Sequence, residues 1–186
     1  MKIVFWNKKG GVGKTSLAYN VARDLGYFLQ SNDDSIIEIA YEGKAKITSN
    51  IKVLDNCVYD LGGFVDNQAN KVIESADLIV IPTVYDLNAL RRTLSTIKDV
   101  YHINKNAKVV IVANNLESKT KQEDLAKITD TFKDYKVLEM PHSRIFQNAI
   151  KQGSSVNEIT ESKINAYRYR NALKAYKKLL TYIKKA

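Results

Sequence analysis

Asn7-Lys8-Lys9-Gly10-Gly11-Val12-Gly13-Lys14-Thr15-Ser16 directly follows the apolar run Ile3-Val4-Phe5-Trp6 and precedes a helical pattern starting near Ser16. A strand, a glycine turn and a helix start form the geometry that holds phosphate groups. Backbone N–H groups freed by glycine point inward, and the helix N-terminus adds partial positive charge. In such a loop Lys14 reaches the β- and γ-phosphates of a nucleotide, and the Thr15 hydroxyl ligates Mg²⁺. A basic turn between a strand and a helix is the plain alternative, but Gly-Lys-Thr in this context is hard to match by chance.

The standard phosphate loop carries a glycine five positions before Gly13, where this chain has Lys8. What remains, Lys9-Gly10-Gly11-Val12-Gly13-Lys14-Thr15, has a second lysine at the start of the loop. This resembles the deviant Walker A motif of the ParA/MinD ATPases, and Asn7 to Ser16 is most similar to ParA partition proteins. The resemblance implies that Lys9 reaches the nucleotide of a partner subunit, and hence an ATP-sandwich homodimer. It also assigns Lys9, Gly10, Gly11, Val12, Gly13, Lys14, Thr15 and Ser16 to nucleotide binding. A second cation there suits phosphoryl transfer, in which charge spreads over the phosphoryl oxygens.

The chain has 186 residues, 45% of them hydrophobic, which suits one domain with a substantial core. No apolar run approaches the roughly 20 residues of a membrane-spanning helix. Met1-Lys2 enters a strand directly, so no signal peptide is expected. A single cysteine, Cys57, cannot form an intramolecular disulfide and fits a reducing cytoplasm. His102 and His142 are too few for a zinc site, so a metal would arrive with the nucleotide. The net charge of +9 is uneven: residues 163–186 carry eight basic side chains and no acidic one. The basic character is local and calls for a local explanation.

Lys2–Trp6 reads as a central strand, and Thr15 to about Gly26 as a helix with Leu17, Val21 and Leu25 in register. A polar turn over residues 31–34 is expected to precede a strand at Ser35–Ala40, with a further short strand at Ile51–Leu54. Cys57-Val58-Tyr59-Asp60-Leu61-Gly62-Gly63 is a strand ending in Asp and two glycines. It resembles Walker B and the switch that follows, although Asp and Gly also make ordinary turns. The expected role of Asp60 is to hold Mg²⁺ through a water, with Thr15 as the other metal residue. Together, Lys9, Lys14 and Asp60 are the candidate catalytic residues.

Helices are expected at Asp66–Ser75, at Asp86–Tyr101 with Leu87, Leu90, Leu94 and Ile97 in register, and at Gln122–Asp134. Strands are expected at Leu78–Ile81, ending at Pro82, at Lys108–Ala113, ending at Asn114-Asn115, and at Lys136–Glu139, leading to Met140-Pro141. In the family an asparagine at the end of the strand corresponding to Lys108–Ala113 meets adenine. Asn114 is the candidate and Asn115 the reserve, beside the reading of a plain turn; Pro141 backbone would lie near the base. Ser143-Arg144-Ile145-Phe146-Gln147-Asn148-Ala149-Ile150, with the later Gly153-Ser154-Ser155-Val156, also resembles ParA-like chains. It reads as a short helix with Ile145, Ala149 and Ile150 inward, stopped by Gly153. Alternating strands and helices imply an α/β, doubly wound, mostly parallel sheet with helices on both faces and nucleotide at the strands' C-terminal ends.

Residues 164–183 form a continuous helical pattern without Pro or Gly. Tyr169, Ala172, Leu173, Tyr176, Leu179, Leu180 and Ile183 share an arc of roughly 120° at about 100° per residue. Arg170, Lys174, Lys177, Lys178 and Lys185 cluster on a neighbouring arc, with Lys163. That arc fits non-specific duplex DNA, bound through phosphates and sensitive to salt. Solvated surface and an amphipathic contact with anionic lipid are the alternatives. The whole chain then reads as one P-loop ATPase domain with a basic C-terminal helix at about 161–185.

The resemblance implies a partition ATPase, cytoplasmic and nucleoid-associated, that uses ATP and Mg²⁺. It would dimerise on ATP, coat non-specific DNA, and be released when a centromere-binding partner protein stimulates hydrolysis. Relatives carry Asp-x-Asp after the second strand, and here Glu38-Ile39-Ala40 is expected in that place. Ala40 cannot position water, with Glu42 or another nearby acid as the candidate replacement, so hydrolysis is expected to be weak. The alternatives are a MinD-like membrane-associated positioning ATPase and a slowly hydrolysing ATP-dependent scaffold or conjugation accessory protein.

Overall fold

The computed structural model describes residues 1–63, 66–117 and 119–186. Among them seven strands form one sheet: β1 (Lys2–Trp6), β2 (Phe28–Ser31), β3 (Ala45–Ile47), β4 (Cys57–Leu61), β5 (Leu78–Thr83), β6 (Val109–Leu116) and β7 (Lys136–Pro141). Their order is β3-β2-β4-β1-β5-β6-β7, and every pairing is parallel. The order reverses about β1, so the crevice beside its C-terminal tip is where a doubly wound sheet takes a ligand.

The helices are α1 (Lys14–Leu25), α2 (Ile37–Ala40), α3 (Asn67–Glu74), α4 (Leu87–Ile103), α5 (Lys121–Thr131), α6 (Ile145–Lys151), α7 (Val156–Ile159), α8 (Lys163–Arg168) and α9 (Arg170–Lys185). Strand alternation divides the core between the sheet's two faces. Ile3 and Phe5 of β1 join α1, α6 and α9 through Leu17, Tyr19, Phe146, Tyr176 and Leu179. Val4 and Trp6 join α3, α4 and α5 through Val72, Leu90, Ile97 and Ile128. Gly26 ends α1 in the left-handed conformation, φ 70°, and its N–H returns to the helix carbonyls.

The second strand lies earlier than the sequence pattern places it. Residues 35–40 are not a strand; Phe28–Ser31 fills the slot between β3 and β4. Ile37 and Ala40 are buried at helical spacing, while Ile39 is 85% exposed. An apolar run of this length reads equally as strand or helix. Polar Gln30 hides the true strand from a hydrophobic pattern, yet it is only 3% exposed. Its amide donates to the Lys52 carbonyl at 2.7 Å and accepts from the Lys52 N–H at 3.0 Å. The Leu54 N–H donates to the Tyr59 hydroxyl at 2.7 Å. Residues 51–54 therefore satisfy their backbone with side chains, and no strand forms there.

Three further expectations change. Strand β5 runs through Pro82 to Thr83, and β6 includes Asn114 and Asn115. On α4 the buried face is Ala89, Leu90, Thr93, Thr96, Ile97 and Val100, whereas Leu87 is 81% and Leu94 42% exposed. The C-terminal helix breaks at Tyr169, φ −105° and ψ 16°, between α8 and α9. Helix α9 docks through Ala172, Ala175, Tyr176, Leu179, Leu180 and Ile183, while α8 buries no residue. The Asn165 amide donates to the Ile159 carbonyl at 3.1 Å and ties α8 to the turn after α7.

Candidate phosphate-binding site

The loop from Asn7 to Gly13 joins the tip of β1 to α1. Gly11 and Gly13 adopt φ 75° and 88°, a region costly to any residue with a Cβ. No side chain among the described residues caps α1, and its first intrahelical bond runs from the Leu17 N–H to the Gly13 carbonyl. The N–H groups ahead of Leu17 thus lack intrahelical partners, as an anion cradle requires. Lys14 opens the helix with only 6% exposure, and Lys9 lies half-buried at the loop entrance.

Asn7 fixes this loop to α4. Its amide donates to the Pro82 carbonyl and the Thr93 hydroxyl, both at 2.8 Å, and its oxygen accepts the Lys9 N–H at 2.9 Å. The Lys8 N–H donates to the Thr96 hydroxyl at 3.0 Å, and its ammonium pairs with Asp99. Lys8, standing where the standard loop has glycine, is thus engaged by α4. The opposite wall is Asn114, which donates to the Val12 carbonyl at 2.8 Å.

Asp60 lies one residue before the end of the fully buried strand β4, level with Phe5 on β1 and Ser31 on β2. It is fully buried. Its Oδ2 accepts from the Ser31 hydroxyl at 3.3 Å, while Oδ1 has no hydrogen-bond partner among the described residues. Burial pushes its carboxyl up to about 6; the Thr15 hydroxyl and Lys14 ammonium oppose the rise, and Asp33 adds to it. A buried carboxylate with one free oxygen beside a lysine and a threonine hydroxyl fits a divalent cation bound with phosphate. No group of three or more His, Cys, Asp or Glu among the described residues forms a metal site by itself.

Gly62 and Gly63 continue from β4 against the phosphate loop. The Gly62 N–H donates to Asn32 Oδ1 at 2.6 Å, and a Cβ on Gly63 would lie 3.2 Å from the Lys8 carbonyl oxygen. The carboxylate following β2 at this site is Asp33, whose side chain lies against Gly62. Glu38 instead sits on α2, where it accepts the Ile47 N–H at 2.8 Å. Glu38-Ile39-Ala40 therefore lies on α2 and not after the second strand, and Ala40 gives no reason to expect weak hydrolysis. Sequence reading missed Ser31, Asn32 and Asp33 because it ended the second strand at Ala40. Asn7 stood in the quoted motif, but its partners Thr93 and Thr96 left no sequence signal.

Beyond the ends of β6 and β7 lies a cavity of about 630 Å³, lined by Leu116, Pro141, His142, Tyr169 and Arg170 among others. Asn114 does not line this cavity, because it is turned to the phosphate loop. Asn115, at φ 57°, meets His142 Nδ1 through its side-chain oxygen. Arg170, Lys174, Lys177, Lys178 and Lys185 are all exposed along α9, and Lys178 lies 3.8 Å from Glu139.

No protein-family model matches this chain, and no curated protein does. Solved structures do. Apo McdA of Cyanothece is 13% identical, with 94% of this chain and 96% of that one covered and a TM-score of 0.72. MinD of Pyrococcus horikoshii complexed with Mg-ADP is 14% identical over 97% and 94% of the two chains, TM-score 0.68. A plasmid partition protein of Borrelia burgdorferi bound to AMPPNP is 14% identical over 95% and 98%, TM-score 0.65. The fold is that of the ParA/MinD P-loop ATPases.

Proposed function

We propose that this chain is an ATPase of the partition and positioning type, which binds ATP with Mg²⁺ at the Lys14–Asp60 site. The observation that carries the reading is the start of α1, uncapped by any described side chain, with Lys14 buried beside Asp60, whose Oδ1 lacks a partner among the described residues. Structures of the same fold carrying Mg-ADP and AMPPNP support it. In this reading Gly10 to Ser16 surround the phosphates, and Thr15 and Asp60 hold the cation. The cation offsets phosphate charge and the charge that develops in phosphoryl transfer. Asp33 orients the attacking water. Lys9, at the loop entrance, would serve the nucleotide of a second protomer.

Basic α9 would then bind duplex DNA through its phosphates in the ATP-bound dimer, holding the protein on the nucleoid within the cytoplasm. Release by a partner protein requires that DNA affinity differ between nucleotide states, because a ligand shifts only equilibria whose states it binds differently. Co-sedimentation with DNA under ATP, ADP or no nucleotide, at two salt concentrations, tests this. ATP-dependent, salt-sensitive binding that Lys14→Ala abolishes is the expected result. Binding that ignores nucleotide would overturn the switch.

One observation favours a second reading, positioning on an anionic membrane. Ile164 and Tyr167 on α8 are 80% and 72% exposed beside Lys163 and Arg168, as an interfacial helix arranges them. Sedimentation with anionic liposomes and without DNA binding would select it.

A further inference from the structure

Strand β7 is the outermost strand on its side of the sheet and pairs only with β6 among the described residues. Its free edge opens into a groove of about 1110 Å³ walled by α5 and α9. The two walls differ. On the α5 side Leu125, Tyr135 and Val137 are apolar, with Thr129 between them; on the α9 side Lys174, Lys177, Lys178 and Lys185 stand beside Leu173 and Tyr182. Those four lysines are exposed, as is Lys136 at the start of the strand. Glu139 is the one acidic residue lining the groove among those described, and it is held by Lys121 at 3.0 Å and Lys178 at 3.8 Å.

An open strand edge presents alternating N–H and C=O groups, which another extended peptide satisfies and a nucleic acid does not. Side chains of an added strand point alternately to the two faces of the sheet. One set would meet the lysines of α9 and the other the apolar wall of α5. We propose that this groove binds an extended, alternately acidic and apolar segment of a partner protein, added as a strand beside β7. A second copy of this chain does not fit, since both grooves would bring the same lysine row to the contact. The groove shares no residue with the phosphate loop, so this inference does not rest on the nucleotide reading. It shares Arg170, Lys174, Lys177, Lys178 and Lys185 with the proposed DNA surface, so peptide and DNA would compete.

The test is fluorescence anisotropy of the full chain with a labelled heptapeptide alternating glutamate and valine, without nucleotide. Its lysine–valine counterpart, a version N-methylated at alternate residues, a hepta-glutamate and an eight-nucleotide single strand run beside it. The acidic alternating peptide is expected to bind at least about tenfold more tightly than each of the other peptides. Pairing Lys174→Glu with Lys177→Glu should weaken it by about tenfold or more. Leu125→Gln should weaken it while leaving hepta-glutamate binding unchanged. Equal binding by the N-methylated peptide or hepta-glutamate would reduce the groove to surface charge and overturn the proposal. Tighter binding of the single strand would overturn it in favour of nucleic acid, and no binding at millimolar peptide would overturn it outright. Each of these failures leaves ATP binding at Lys14 intact and separately measurable.

Discussion

Ser31 and Asp60 stand level on neighbouring parallel strands, joined by a 3.3 Å hydrogen bond from the serine hydroxyl to Oδ2. The bond satisfies one carboxylate oxygen and leaves Oδ1 without a partner among the described residues, inside a fully buried group. Burial raises the carboxyl from 3.8 to about 6. Between those values the folded chain keeps a proton that the unfolded chain has released. Asp60 therefore favours folding below about pH 4, and that contribution is lost as the pH rises through 6. Asp60→Asn carries no such charge. Its stability relative to the parent is expected to grow by about 2 kcal/mol between pH 4 and pH 7. Denaturant titrations at both pH values measure this. Adding Mg²⁺ and an ATP analogue should then stabilise the parent and not the variant.

Asp33 gives a prediction about turnover. It follows β2, packs against Gly62, and its charge helps to raise Asp60. A water-positioning carboxylate contributes about 10²-fold or more to rate. Asp33→Asn should therefore reduce ATP hydrolysis about 100-fold with ATP affinity nearly unchanged, whereas Glu38→Gln should leave turnover as it is. Steady-state phosphate release with both variants decides between the two carboxylates. Equal loss in Glu38→Gln would return the role to α2.

The fold was legible where pattern and punctuation agree. Apolar Ile3–Trp6, the glycine turn and Gly26 set β1, the loop and α1 within a residue of the structure. The same holds for Cys57–Leu61, which carries Asp60 one residue from its end. The second strand was not legible, because buried Gln30 and Ser31 owe their places to partners distant in sequence, Lys52 and Asp60. A hydrophobic pattern instead singles out the apolar run from Ile36 to Ala40, and a one-turn helix results. The break at Tyr169 likewise has no Pro or Gly to announce it. In the site, residues supplied by the loop itself were readable, whereas Asn32, Asp33, Thr93 and Thr96 enter only through tertiary packing.

Gly13 and Asn114 test how tightly the loop is held. A Cβ at Gly13 would lie 2.2 Å from Asn114 Nδ2, so alanine there must push the amide off the Val12 carbonyl. It would also sit at φ 88°, at a cost of about 1–2 kcal/mol. Asn114→Ala loses the same hydrogen bond, worth about 1 kcal/mol, and should weaken ATP binding about fivefold. Gly13→Ala should weaken it about 100-fold, from backbone strain and the lost bond together. Because both variants remove one bond, the double variant should lose less than the two losses combined. Isothermal titration with a non-hydrolysable ATP analogue measures all three, and strict additivity would show that Asn114 does not hold the loop.

The basic residues of α9 give the prediction with the sharpest dependence on solution conditions. Lys174 and Lys177 are exposed, and neither has an acidic partner within salt-bridge distance among the described residues. Each phosphate contact lowers log affinity by about 0.9 per decade of salt, through counterion release. Replacing both lysines with alanine should flatten the salt dependence of DNA binding by about 2 per protomer engaged. Affinity should fall uniformly across unrelated duplex sequences, because phosphate contacts carry no base information. ATP binding should not change, since α9 contributes nothing to the phosphate loop. Duplex-binding isotherms from 50 to 200 mM salt measure the slope. An unchanged slope would take DNA off this helix and leave the lysine row to the groove beside β7.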